Sequence, residues 1–169
     1  MKRIRAAISL SLITLGLAGF GVALAASTGP VVIVPVQGMV DDGMAHLVAR
    51  AVAQANDLGA KAIVLEVDSN GGLVEAAQSI KDSVLSAHAP VIAYVTGRAF
   101  SSAALISLTS NTIIMAPGAS IGSAEPHPDT PENVSALRSE FESSALRNHR
   151  NPMLAASMVD RSIDEPAYK

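Results

Sequence analysis

The chain has 169 residues, 49% of them apolar and 3% aromatic, with 12 Lys and Arg against 15 Asp and Glu and no cysteine. That is enough apolar material for one core-forming domain. It excludes a disulfide framework and a thiolate metal site, and an acidic, aromatic-poor chain lacks the basic footprint of a nucleic-acid binder.

Residues 1–25 read as a secretory signal peptide. Lys2, Arg3 and Arg5 form a positive n-region, Ala6 to Ala25 carry no charge, and Ala23-Leu24-Ala25 is a small-x-small cleavage site. The uncharged run of 20 residues is also long enough for an N-terminal membrane anchor. Gly16, Gly19 and Gly21 weaken it as a continuous helix and favour cleavage. Without this segment nine basic residues face 15 acidic ones, a net charge of −6. The expectation is an exported domain over 26–169, on the periplasmic or extracytoplasmic face of a membrane.

Val31 to Val36 is a β-branched run and reads as a first strand. Asp41-Asp42-Gly43 opens a helix whose apolar face carries Met44, Leu47, Val48, Ala51, Val52, Ala55 and Leu58, closed by Gly59. Ala62 to Val67 is a second strand, apolar on both faces except at Glu66, and Asp68 to Gly72 reads as a turn. A second amphipathic helix places Ala76, Ala77, Ile80 and Val84 inward, and Pro90 marks its exit. Val91 to Val95 is a third strand, Ser101 to Leu108 a short and nearly all-apolar helix, and Thr112 to Met115 a fourth strand. Ala124 to Asn133 reads as an exposed loop, followed by helices over Val134 to Asn148 and Met153 to Val159. Alternating β and α with doubly buried strands predicts an α/β domain, a largely parallel sheet flanked by helices.

In such a sheet the segments after the second and third strands lie at one carboxyl edge, where ligands bind. Gly71-Gly72 follows one and Gly97-Arg98-Ala99-Phe100-Ser101-Ser102 the other. Ser101, where a strand breaks into a helix, is the candidate nucleophile, with Ser102 and Ser107 as alternatives. An N-cap serine needs no catalytic role, however, and a Gly-Gly pair can serve only to make a tight turn. The backbone N–H groups of Gly71, Gly72 and Ser102 are candidates to hold an oxyanion. The four histidines show no paired spacing, so no metal site is expected. His46, His88 and His149 read as surface residues.

Several of these segments together resemble the NfeD family of membrane-associated serine peptidases, relatives of the Clp protease proteolytic subunit with a crotonase-type fold. Leu65 to Gly72 is similar to the family's strand and Pro-Gly-Gly turn, with Asn70 for proline. Ala99 to Ala104 resembles its Ala-x-Ser-Ala-Gly-x nucleophile turn, with Ala103 for glycine. Met115-Ala116-Pro117-Gly118-Ala119-Ser120-Ile121-Gly122-Ser123-Ala124 is close to its Met-Ala-Pro-Gly-x-x-Ile-Gly-Ala segment, and Met158 to Asp164 to its distal helix and turn. The resemblance implies endopeptidase chemistry on hydrophobic, membrane-associated peptides, with no cofactor. It also implies a stomatin-like membrane partner and homo-oligomers. Ser101 falls on the nucleophile, and Gly72 and Ser102 on the oxyanion positions.

Many members of the family use as base a lysine opening the helix after the Ile-Gly-Ala segment, and the Clp-type alternative is a histidine one strand later, where this chain has Ala124. The register, set by Ser135 and the Arg150-Asn151 step, puts Glu132 at the lysine position. His127 is the candidate replacement, since an imidazole changes charge near neutral pH. A solvated loop residue is its other reading. Two further uses of the fold follow. One is a catalytically impaired scaffold for a stomatin-like protein. The other is acyl-CoA chemistry, against which export and an acidic surface argue. Relatives continue into further sheet and membrane helices beyond the stretch that resembles Ile163 to Lys169, so the chain is expected to lack C-terminal parts.

Overall fold

The computed structural model describes residues 28–163 and 165, and the signal-peptide reading of 1–25 lies outside them. Three β–α units follow one another: β1 (Val31–Val40), α1 (Asp42–Asp57), β2 (Ala62–Gly72), α2 (Val74–Leu85), β3 (Val91–Phe100) and α3 (Ser102–Thr109). β4 (Thr112–Met115), β5 (Ser120–Gly122), α4 (Pro131–Arg147) and α5 (Pro152–Ser157) complete the order. The sheet runs β1-β2-β3-β4, and β5 pairs with the far end of β3. Every pairing is parallel, which confirms the expected α/β architecture.

Local chemistry sets the helix boundaries. Asp41 caps α1, its Oδ1 accepting the Met44 N–H at 2.9 Å, and Gly59 follows the helix at φ +58°. Thr130 caps α4 through the Asn133 N–H, and Asn151 caps α5 through the Met153 N–H.

The first three strands run four to five residues past their expected ends. The segment Asp68 to Gly72, expected as a turn, is extended strand, with Gly71 and Gly72 opposite Met39 and Val40. Polar and glycine residues hid the extension because a bulge separates it from the apolar run. The register shifts between Gln37 and Met39 on β1, and between Val67 and Ser69 on β2. Ser69 repairs the gap: its Oγ donates to Gly38 O at 2.5 Å and accepts the Gly71 N–H at 3.0 Å.

The strands are buried on one face only. Val34, Val36, Ile63, Leu65, Val67, Val91, Ala93 and Val95 are at most 1% exposed and share the face that meets the helices. On the other face Val31, Ile33, Tyr94 and Ile114 are exposed. Doubly buried strands were expected because Val, Ile and Leu fill both faces. Among the described residues no helix lies on the second face.

All eight residues of α3 are buried. Its Ala103 and Ile106 belong to the core under α1 and α2, and its Ala104, Leu105 and Leu108 to a second core with Ala124, Phe141, Ala145, Ala155 and Val159. A buried helix cannot leave its last carbonyls to water. Here Asn148 Nδ2 donates to Leu108 O and Thr109 O, both at 3.1 Å. Arg150 donates to Leu108 O and Ser110 O at 2.8 Å and to Asn111 O at 3.0 Å. Burial lowers the Arg150 pKa without discharging the guanidinium, so a positive charge sits at the C-terminal end of α3. Hydrogen bonds to a charged group contribute about 1.5–3 kcal/mol each, and Asn148 keeps part of the end satisfied. Arg150→Met should therefore lower stability in urea unfolding by about 2–3 kcal/mol, and Arg150→Lys should restore only part of it.

Candidate active site at the end of the third strand

Ser101 joins β3 to α3 with φ 54° and ψ −126°. A non-glycine residue there carries backbone strain of about 1–3 kcal/mol. Its neighbours over-determine the conformation. The Ser101 N–H donates to Gly122 O at 3.0 Å and Ser123 O at 3.2 Å, and its carbonyl accepts the Ala104 N–H at 2.9 Å. β5 therefore serves the site directly: it pairs Ser120 to Gly122 with Arg98 to Phe100 and sets both carbonyls over the Ser101 amide.

Two glycines on the path to Ser101 are required by space. A Cβ on Gly97 would lie 2.5 Å from Asp68 Oδ1, the oxygen that accepts the Arg98 N–H at 3.0 Å. Gly71, at φ +93°, lies against Ser101 itself. A Cβ there would meet the Ser101 Cβ at 2.6 Å, Phe100 O at 2.8 Å and Ser101 Oγ at 3.1 Å.

The two strand ends differ in the donors they present. The Gly71 N–H is engaged by Ser69 Oγ. The Leu73 N–H points to β1, donating to Val40 O at 2.8 Å. The β2–β3 ladder has its last pair at Ser69 and Ala99, short of Gly72. Ser102 opens α3, so its N–H is among those with no acceptor inside the helix.

Beside Ser101 lies a cavity of about 20 Å³ lined by Val74, Ala77, Ser101, Ser102, Leu105, Leu137 and Phe141. Ser102 is 7% exposed and its Oγ is buried without a hydrogen-bond partner. The other hydroxyls of this segment are satisfied by the carbonyl four residues back: Ser107 by Ala103, Thr109 by Leu105, Ser110 by Ile106. Ser102, at the helix start, has no such carbonyl.

The remaining predicted residues lie elsewhere. His127 is exposed and lines a separate cavity of about 510 Å³ with Glu125, Asp129, Val134, Asp160 and Arg161. There an ion pair joins Glu125 to Arg161, and Arg138 meets Asp160 Oδ2 at 3.1 Å. The Arg161 hydrogen bond holds the Glu125 carboxyl below its ordinary range, and hydrogen bonds from Ser162, with Arg138, do the same for Asp160. Glu132 is exposed in the first turn of α4. No Lys, His, Asp or Glu lines the cavity that Ser101 lines. Among the described residues no group of His, Cys, Asp or Glu is placed to hold a metal ion.

A strained serine at a strand–helix junction of a parallel α/β domain is the arrangement in which serine hydrolases hold their nucleophile. Comparison with known proteins makes the assignment specific. Residues 30–169 match the model of the NfeD1b N-terminal domain, and the chain belongs to that family. It is 34% identical over 169 residues to the membrane protein NfeD1b of Bacillus subtilis, covering 97% of this chain and 38% of that protein. It is 29% identical over 127 residues to the membrane-bound protease PH1510 of Pyrococcus horikoshii, covering 68% of this chain and 29% of that protein. The chain thus spans well under half the length of either relative. Among solved structures, it is similar to the 1510-N membrane-bound stomatin-specific protease, a lysine-to-alanine mutant in complex with a substrate peptide. The TM-score is 0.74 with 26% identity, over 79% of this chain and 67% of that one.

Gly71→Ala should lower stability by about 1–3 kcal/mol, from positive-φ strain and the clash with Ser101. It should also shift the Ser101 amide resonance in a ¹H–¹⁵N spectrum more than Gly38→Ala does, because Gly38, also at positive φ, has open space where a Cβ would stand.

Proposed function

We propose that this domain is an exported serine endopeptidase that cleaves hydrophobic segments of membrane-associated proteins. The observation that carries the proposal is the backbone of Ser101. A positive φ, held by two carbonyls of the β5 segment, keeps the serine at a strand end where its Oγ can approach a peptide carbonyl. In the reaction, Ser101 Oγ adds to the scissile carbonyl carbon and its proton passes to a base. The oxyanion is held by the Gly72 and Ser102 N–H groups, each such donor contributing about 3–4 kcal/mol to the transition state. Collapse expels the amine and leaves an acyl-serine, which water hydrolyses. Gly71 shapes the approach through its missing side chain.

His127 is the proposed base. Its loop begins at Ser123, whose carbonyl accepts the Ser101 N–H, and bringing the imidazole to Ser101 requires that loop to move. A stomatin-like membrane protein is the proposed partner, on the ground that a similar protease is described as stomatin-specific. Membrane association rests on the two relatives described as membrane proteins. Among the described residues no helix is long and apolar enough to cross a membrane. Extracytoplasmic placement rests on the signal pattern of 1–25, and homo-oligomers on the family resemblance. A second reading, a catalytically impaired scaffold for the same partner, is favoured by the lack of any ionisable side chain around the Ser101 cavity and by Glu132 at the family's lysine position.

A fluorophosphonate probe and a hydrophobic peptide library separate these readings. Wild type should label and cleave, and Ser101→Ala should do neither. Labelling that survives in Ser101→Ala would sink this serine as the nucleophile, while inert wild type would favour the scaffold. His127→Ala should slow cleavage by about 10²–10⁴-fold. Undiminished cleavage removes it as the base.

A further inference from the structure

Two cavities lie along the groove where α2, α3 and α4 meet, one of them beside Ser101. The floor of the groove is α3, from Ser102 through Leu105 to Thr109, about 10 Å along the helix axis. One wall is α2, through Val74, Ala77, Lys81 and Leu85, each three or four residues from the last and so on one helix face. The other wall is α4, through Leu137, Phe141, Ser144 and Arg147. At the Ser101 end the open space is about 20 Å³. At the Thr109 end, lined by Lys81, Leu85, Thr109, Ser143, Ser144 and Arg147, it is about 230 Å³.

Between the two ends stands one ion pair, Lys81 Nζ on Glu140 Oε2. Its side chains are 18% and 35% exposed, so it is better shielded from solvent than an ordinary surface pair. It lies on the Lys81 end of α2, one turn past Ala77, and on α4 between Leu137 and Phe141, which wall the smaller cavity. The pair therefore ties the two walls together, between the residues that line the small cavity and those that line the large one.

We propose that the Lys81–Glu140 crossbar determines specificity, limiting the substrate side chain seated beside Ser101 to one the size of Gly, Ala or Ser. The inference rests on the peptidase reading. The space at the Ser101 end is about 20 Å³ against about 230 Å³ at the Thr109 end, which favours a methyl or hydroxymethyl group beside Ser101 over an isobutyl or benzyl group. Past the crossbar there is room for both. Removing the pair should join the two spaces and admit large side chains.

The test uses the full chain and peptides Val-Val-Ile-X-Ala-Val, with X as Gly, Ala, Ser, Leu or Phe, and cleavage sites located by mass spectrometry. Wild type should cleave after Gly, Ala or Ser at least about tenfold faster than after Leu or Phe, within the discrimination a methylene-scale pocket achieves. Glu140→Gln and Lys81→Met should reduce that ratio about tenfold, and Lys81→Ala combined with Glu140→Ala should reduce it further. Lys81→Arg keeps the pair and should keep the preference, which a merely structural role for Lys81 would not require. A wild-type preference for Leu or Phe, or an unchanged ratio in folded variants, overturns the proposal. Failure of the peptidase reading is seen separately, as wild type that neither cleaves nor takes up fluorophosphonate. In that event fluorescein-labelled versions of the same peptides are titrated against Ser101→Ala, with and without the crossbar substitutions. The same size order and the same loss of it are then expected in the affinities. Equal affinities, or no binding, overturn the crossbar.

Discussion

The rest of the structure depends on burying α3 on every side. An eight-residue helix gains little from its own hydrogen bonds and stands by packing. Ala103 and Ile106 face the core under the sheet helices, while Ala104, Leu105 and Leu108 face the core made with α4 and α5. The two cores meet across this helix, with Ile113 and Ile121 also packed against both. Complete burial also imposes conditions on both of its ends. At the C-terminal end the cost is met by Asn148 and Arg150, brought back from beyond α4. At the N-terminal end no side chain caps the helix, and the unmet donors there are the ones the proposed chemistry uses.

Much of this was legible in the sequence. Helical spacing of Met44, Val48, Val52 and Ala55 located α1, and the inward set Ala76, Ala77, Ile80 and Val84 is the buried set of α2. The absence of any polar face marked α3 as buried. What escaped shares one physical cause: backbone pairing that side chains do not advertise. The strand extension to Gly72 is built from Asp, Ser, Asn and Gly, those to Val40 and Phe100 each carry a glycine, and the first two are held together by ladder bonds and by the Ser69 hydroxyl across a bulge. β5 has only Ile121 as a β-branched residue in three, yet its Gly122 carbonyl and that of Ser123 just after it hold the Ser101 amide. Arg150 was visible only as an alignment landmark, because its partners are carbonyls about 40 positions upstream. Lys81 did leave a signal, a lysine four residues past Ala77 on an otherwise apolar stripe. Its partner on α4 could be found only in three dimensions.

The second face of the sheet follows from the same logic. Each crossover helix returns on one side, as successive right-handed β–α–β units must when neighbouring strands are neighbours in sequence. Val31, Ile33, Tyr94 and Ile114 are thereby left on the opposite face with no described helix against them. The apolar pattern that suggested two covered faces is present in the strands. The covering layer is what the described residues do not supply.

A serine at a helix start is ordinarily a cap, and this chain supplies its own control for that alternative. Asp41, Thr130 and Asn151 cap α1, α4 and α5 from φ values of −134°, −70° and −65°, each side chain accepting a backbone N–H of the first turn. Ser101 occupies the equivalent position before α3 and does neither: its φ is 54° and its side chain makes no cap bond. A capping serine would relax to the extended region and bond the free N–H groups, relieving strain and satisfying a buried helix end at once. Two carbonyls from the β5 segment and the bare Gly71 hold it away from that minimum. Stability alone does not account for a serine kept out of its cap while the N–H groups beside it stay open. The proposed chemistry accounts for it, and in that reading the proton acceptor, rather than the nucleophile, is the point on which activity turns.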